Sequence, residues 1–204
     1  GLSYSGIGAS DIGYKIASKF GHKVIKTAPA LVGLTLQKEQ FFFKELSGIS
    51  CDVAIEIGKK IIKGSLLFAH KGISGPAVLD ASLYWEKGEI SIDFLPNMKL
   101  EDLRSSNKNI SSALSVPKRL ATAFLAHLDL DDKKFSSLSK SEFEKLKIIK
   151  NYRFAPTGTF GYNKAEVTKG GIDTSELNPK SMMSVKCKNL YFIGEVLDIT
   201  GELG

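Results

Sequence analysis

The chain has 204 residues, 43% of them hydrophobic and 25% charged, which suits one large folded domain or two modest ones and excludes a disordered chain. No apolar run approaches the ~20 residues that a membrane-crossing helix needs, and no secretory leader pattern opens the sequence, so a cytoplasmic, membrane-free protein is expected. Cys51 and Cys187 lack CxxC spacing and read as reduced, structural thiols, while the formal charge of +6 raises nucleic acid as a partner.

Ser10 or Asp11 can cap a first helix that ends at Gly21, with Ile12, Ile16, Ala17 and Phe20 on one face. Residues 24–27 read as a short strand, and Pro29 marks a change of direction. Residues 30–36 form a near-continuous apolar run. Val53, Ile55 and Ile57 alternate with Ala54 and Glu56, a further strand lies within 61–69, and Ile90, Ile92 and Phe94 alternate with Glu89, Ser91 and Asp93. Between them Pro76 sits well in the first turn of a helix over 75–85. The stretch from 29 to 98 therefore predicts an antiparallel, barrel-like unit with one helix.

From residue 100 to 150 the apolar period becomes helical. Pro117 opens a helix with Leu120, Ala123, Phe124, His127 and Leu128 on one stripe. Ser139 and Glu142 have capping-box spacing, followed by Phe143, Leu146 and Ile149. A third helix is predicted either near 101–104 or near 110–114. The lysines between 140 and 150 alternate with Glu142 and Glu144, a solvated helix face, and the remaining lysines are scattered, so nucleic-acid binding is the least favoured reading. Strands at 152–154, 165–168 and 190–193 complete the chain.

The last of these runs into Gly194 and Glu195. A glycine at the end of a buried strand lets backbone approach a ligand, and the carboxylate can accept from a sugar hydroxyl. Gly194-Glu195-Val196-Leu197-Asp198, with Gly201 and Gly204, resembles the closing flavin motif of the BaiN-like flavoproteins, a family of NAD(P)/FAD-dependent oxidoreductases that includes aminoacetone oxidase. Three further stretches match in order. Gly1-Leu2-Ser3-Tyr4 through Gly13-Tyr14-Lys15-Ile16-Ala17 to Gly21-His22 resembles the family's glycine turn and following helix. The run from Leu67 through His70, Gly72, Ser74, Gly75 and Pro76 resembles its Phe-Thr-His-x-Gly-x-Ser-Gly-Pro signature. Ala165-Glu166-Val167-Thr168-Lys169-Gly170-Gly171 resembles its Ala-x-Val-Thr-x-Gly-Gly stretch.

The resemblance implies an α+β architecture, with a β-rich barrel-like insert and a small helical cluster flanked by remnants of a Rossmann-like FAD domain. It implies FAD-domain segments at 1–28 and 186–204, a β-rich subdomain at 29–98, a helical subdomain at 99–150 and return strands of the insert at 151–185. It also implies an internal segment of a longer enzyme, without the first βαβ unit or the closing helix, so FAD binding by this chain alone is expected to be weak or absent. Carried over by residue, Gly1, Gly194, Glu195, Gly201 and Gly204 contact the flavin, and Thr168, Gly170 and Gly171 line the flavin or substrate side. The implied reaction passes a hydride from a small organic substrate to flavin, with oxygen or NAD(P) as the other redox partner. The alternatives are a substrate-capping or protein-interaction module without chemistry of its own and, last, a basic nucleic-acid-binding domain. No catalytic residue is assigned, because His70 and Ser74 have no identifiable acid or base partners, and Asp129, Asp131 and Asp132 lack metal-loop spacing.

Overall fold

In the computed structural model, which describes residues 1–203, period-two alternation builds the largest unit. β1 (Val24–Ala30) leads through a short β2 (Leu34–Thr35) to the central hairpin, β3 (Ser50–Ile57) and β4 (Lys60–Ala69), whose register is continuous from Ser50 opposite Leu67 to Ile57 opposite Lys60. Val53, Ile55, Ile62, Leu66 and Phe68 face inward, as their spacing predicts. β5 (Gly72–Ser74), β6 (Ile90–Asp93) and β7 (Tyr152–Phe154) complete an antiparallel six-stranded sheet of order β2-β5-β4-β3-β6-β7. Residues 157–160 then run along the other edge of β2. Thr35 N donates to the Gly158 carbonyl at 2.9 Å and Phe160 N to that of Gly33 at 2.9 Å. The chain leaving the last strand thereby joins the first, and the sheet curls into a barrel-like wall.

α1 (Ile12–Lys19) precedes this unit, and α2 (Pro76–Tyr84), with Pro76 in its first turn, packs across β3 and β4 through Ala77, Val78 and Ala81. The helical cluster comprises α3 (Ile110–Ala113), α4 (Lys118–His127) and α5 (Lys140–Leu146), and a 3-10 turn covers Leu100–Leu103, so both candidate positions for the third helix are helical. The capping box forms as its spacing predicts. Glu142 N donates to Ser139 Oγ at 3.2 Å, and Ser139 N to the Glu142 carboxylate at 2.9 Å. Asp132, rather than a residue of α3, anchors the start of that helix by accepting from Ser111 N at 2.9 Å and Ser111 Oγ at 2.6 Å.

The cluster plugs the barrel with aromatic rings. Phe43, from a 3-10 segment at Lys38–Leu46, lies 5.0 Å from Phe68, 5.3 Å from Tyr152 and 6.0 Å from both Phe94 and Phe124, centroid to centroid. The contacts with Phe68, Phe94 and Phe124 are edge-to-face, and pairs of this kind add ~0.5–1.5 kcal/mol each beyond their area. On α4 the buried stripe is Leu120, Ala121, Phe124 and Leu125. His127 is exposed instead and stacks on Phe42 at 4.3 Å.

A second, smaller core collects both ends of the chain: Tyr14, Ala17, Ile172, Leu177, Phe192 and Leu197. Its framework is α1 and a two-stranded antiparallel ribbon of β1 with β8 (Val167–Ile172). Residues 151–185, expected as return strands of the insert, therefore divide: β7 joins the barrel sheet and β8 pairs with β1. Other expectations are corrected here. β1 runs straight through Pro29. Within 30–36, Ala30 is the last residue of β1 and only Leu34 and Thr35 follow as strand, because Leu31 takes a left-handed φ of +48° that breaks the run. Asp11 makes no capping bond and pairs with Lys15 at 2.9 Å. Tyr14 and Ala17 are the buried residues of α1, while Ile12, Ile16 and Phe20 are exposed. Residues 190–193 form no strand. They make a single bridge, Met183 with Tyr191, because no strand of the described residues runs alongside them. Among the described residues no helix is long and apolar enough to cross a membrane.

Candidate functional site

Three separated pieces of sequence meet at the Glu195 carboxylate. A 3-10 turn, Gly194–Val196, presents it, and Gly194 takes a left-handed φ of +79° to enter that turn. Thr168 N, in β8, donates to Glu195 Oε1. Gly1 lies so close that a Cβ there would overlap the same carboxylate. The Thr168 hydroxyl faces the other way, into the fold, accepting from Leu2 N at 2.8 Å and Ser3 N at 3.2 Å and contacting Ser3 Oγ at 3.1 Å. Thr168 thus fixes the N-terminal stretch with its side chain and Glu195 with its backbone.

Helix α1 closes the site from a fourth direction. A Cβ on Gly13 would lie 2.8 Å from Val196 Cγ2, so the missing side chain lets the first turn of α1 touch the Gly194–Val196 turn. The next residue, Tyr14, buries its ring, and its hydroxyl has no hydrogen-bond partner among the described residues. Burial, with the Glu195 charge second and Tyr162 third, pushes the phenol up to about 12. Spacing alone gave no reason to single out Tyr14.

Two cavities flank the segment 198–200. The smaller, about 380 Å³, is lined by Val167, Gly194, Glu195, Leu197, Thr200 and Gly201 among others. The larger, about 650 Å³, lies between the ribbon and the C-terminal end of α2, with Lys26, Pro29, Trp85, Lys169, Gly170 and Asp198 in its wall. Thr200 lines both. Lys169 ties the two sides of the larger cleft together. Its ammonium donates to the carbonyls of Ser82, Leu83 and Trp85 at 3.2, 3.0 and 3.2 Å, satisfying the free end of α2. Burial lowers its pKa. The tail is held to α2 as well, by Leu203 N donating to Asp80 Oδ1 at 2.8 Å and by the Tyr84 hydroxyl donating to Glu202.

The structure sorts the residues singled out from sequence. Gly194, Glu195 and Gly201 line the smaller cavity, Gly1 abuts the Glu195 carboxylate, and a Cβ at Gly194 or Gly201 would meet nothing within 4 Å. Gly170 opens onto the larger cleft instead. Gly171 is packed against the loop, where a Cβ would lie 2.6 Å from the Val196 carbonyl oxygen. Gly204 lies outside the described residues. His70 is exposed at the turn between β4 and β5. His22 is buried, with Nε2 at 2.7 Å from Ser184 Oγ and Nδ1 at 3.1 Å from Glu176 Oε2 but out of line for a hydrogen bond. Ser184 is 3% exposed and accepts from two backbone N–H groups, so this Ser-His-Glu arrangement is a structural clip without room for a substrate.

The family profile described as the HI0933-like protein barrel and H2TH domain matches residues 28–167. The chain belongs to the HI0933-like flavoprotein family, which includes BaiN. Among curated members, it is 42% identical to a ribosomal RNA dihydrouridine synthase of Haemophilus influenzae and 39% identical to a protein of the same name from Escherichia coli, each across the whole chain and 54% of the relative. It is 27% identical to a 3-dehydro-bile acid delta(4,6)-reductase of Clostridium scindens, again across the whole chain and 56% of the relative. The chain thus spans about half the length of the curated relatives it matches.

A flavin dinucleotide, the cofactor that this family implies, fits the residues present. Glu195 offers an acceptor for a sugar hydroxyl, Gly194 and Gly201 leave their backbones open, and the Tyr14 hydroxyl is a buried donor with no partner among the described residues.

Proposed function

We propose that this chain forms part of a flavin-dependent oxidoreductase that holds FAD at the Glu195 cavity and its substrate in the adjoining cleft. The observation that carries the reading is the convergence on Glu195: Gly1, Thr168 N and the Gly194–Val196 turn fix an acceptor beside two glycine backbones that no side chain covers. Bound FAD would supply hydride transfer. The chain's own part is positional. Glu195 accepts from the cofactor's sugar, Thr168 keeps that carboxylate in place, and Lys169 fixes the cleft wall against the ribbon.

The finer reading is reduction of a uracil ring in ribosomal RNA, with the hydride passing from reduced flavin to substrate. The names of the relatives at 42% and 39% identity support it, and a net charge of +6 is compatible with a polyanion. This reverses the direction of transfer, and the ranking of nucleic acid as a partner, expected from the sequence alone. A second reading, reduction of a small unsaturated ketone, is favoured by the bile-acid reductase at 27% identity. The test is to purify the protein at the full length its gene encodes, record its visible spectrum, and supply NADPH with either unmodified ribosomal RNA or a steroid enone. The expected result is a yellow protein that adds the mass of two hydrogens to a uridine. A colourless protein sinks the flavin reading, and reduction of the enone alone selects the second one.

A further inference from the structure

Tyr14 is a donor without an acceptor. Its hydroxyl is buried and unbonded among the described residues, and a phenol whose proton is held to about pH 12 remains a donor at every working pH. Such a group is costly to bury unless it is paired in the working state. The neighbouring backbone is not free to relax, because Gly13 holds the first turn of α1 against Val196. Of the charges acting on the hydroxyl, Glu195 has the largest effect. The Glu195 carboxylate has one oxygen bonded to Thr168 N, and its side chain lines the smaller cavity.

We propose that Tyr14 is a positioning residue of the cofactor site, its hydroxyl donating to the Glu195 carboxylate and turning the acceptor toward the sugar hydroxyl of bound FAD. The proposal rests on the flavin reading above. It assigns α1 a role beyond packing: Gly13 sets the distance and Tyr14 sets the direction of the carboxylate.

The experiment is a double-mutant cycle on the protein at the full length its gene encodes, with Tyr14→Phe, Glu195→Gln and both together. FAD affinity is titrated by flavin fluorescence, and the melting temperature of each apoprotein is measured in parallel. The expected result is a loss of about tenfold in FAD affinity for each single variant and a double variant no weaker than Glu195→Gln alone. The apoprotein melting temperature of Tyr14→Phe should be unchanged or higher, since the substitution removes only an unpaired hydroxyl. Wild-type affinity in Tyr14→Phe overturns the proposal, as does a double variant that loses the product of the two single effects. A wild-type protein that takes up no FAD overturns the flavin reading itself, an outcome distinct from either of these.

Discussion

Gly170 shows how one missing Cβ shapes the cleft. Between Ile25 opposite Gly171 and Ala28 opposite Lys169, the β1 strand carries a bulge, Lys26-Thr27, that faces Gly170. Gly170 takes φ +79°, and a Cβ there would overlap the Lys26 carbonyl oxygen. Gly170→Ala combines left-handed strain with a backbone collision, so a loss of about 2–4 kcal/mol is expected. Thermal denaturation followed by circular dichroism should show a fall of roughly 5–15 °C. At this scale sequence reading found the glycine pair but not the division of labour within it. Gly170 faces the cleft and Gly171 the loop only because of the bulge, whose position depends on a strand some 140 residues away in sequence. The role proposed for Tyr14 was hidden for the same reason: it depends on Glu195, which no local spacing brings to it.

Among the elements, α5 is the one most completely determined by its own residues. Its capping box needs only Ser139 and Glu142, and both bonds form. The Lys133 ammonium at 2.7 Å, then Ser139, pull the Glu142 carboxyl down to about 2 from an ordinary value of 4.5. Between those values the unfolded chain binds more protons than the folded one, so the stabilisation is complete above about pH 4.5 and is lost as pH falls toward 2. Glu142→Gln should therefore lower the melting temperature at pH 7 and flatten its decline between pH 5 and pH 2. An acid limb parallel to that of the parent protein would refute this. Helix α1 and residues 190–193 are the contrary cases. Of the predicted face of Ile12, Ile16, Ala17 and Phe20 only Ala17 is buried, because the helix is turned so that Gly13 meets Val196 and Tyr14 enters the core. Residues 190–193 are apolar enough for a strand, yet apolar composition becomes a strand only where a neighbour supplies the ladder.

At the scale of the whole molecule, the switch from barrel to helical plug near residue 100 was legible because the apolar period itself changes there. The closure of the barrel by residues 157–160, and the use of Phe43 as the ring at its centre, were not, since both depend on pairings across more than a hundred residues or on a 3-10 segment without a periodic signal. Phe43→Ala would empty a fully buried site shared by Phe68, Phe94, Phe124 and Tyr152. A cost of about 3–5 kcal/mol is expected, measured by urea denaturation, with loss of the near-ultraviolet aromatic signal. A cost below about 1 kcal/mol would mean that the helices and barrel do not share one core.

The pairing of Ala30 with Val167 in the ribbon has a consequence for how this molecule can change. Everything between those two residues, barrel and helices together, departs and returns through adjacent backbone positions, and the family match over 28–167 has almost the same limits. To the smaller core this whole excursion occupies the place of a hairpin turn. Ends so close are the geometry that tolerates insertion, so excision of the barrel behind a short turn is expected to leave the ribbon paired. What it would leave behind on excision is the ribbon with Gly170, the seam between the two cores along the wall of the cleft.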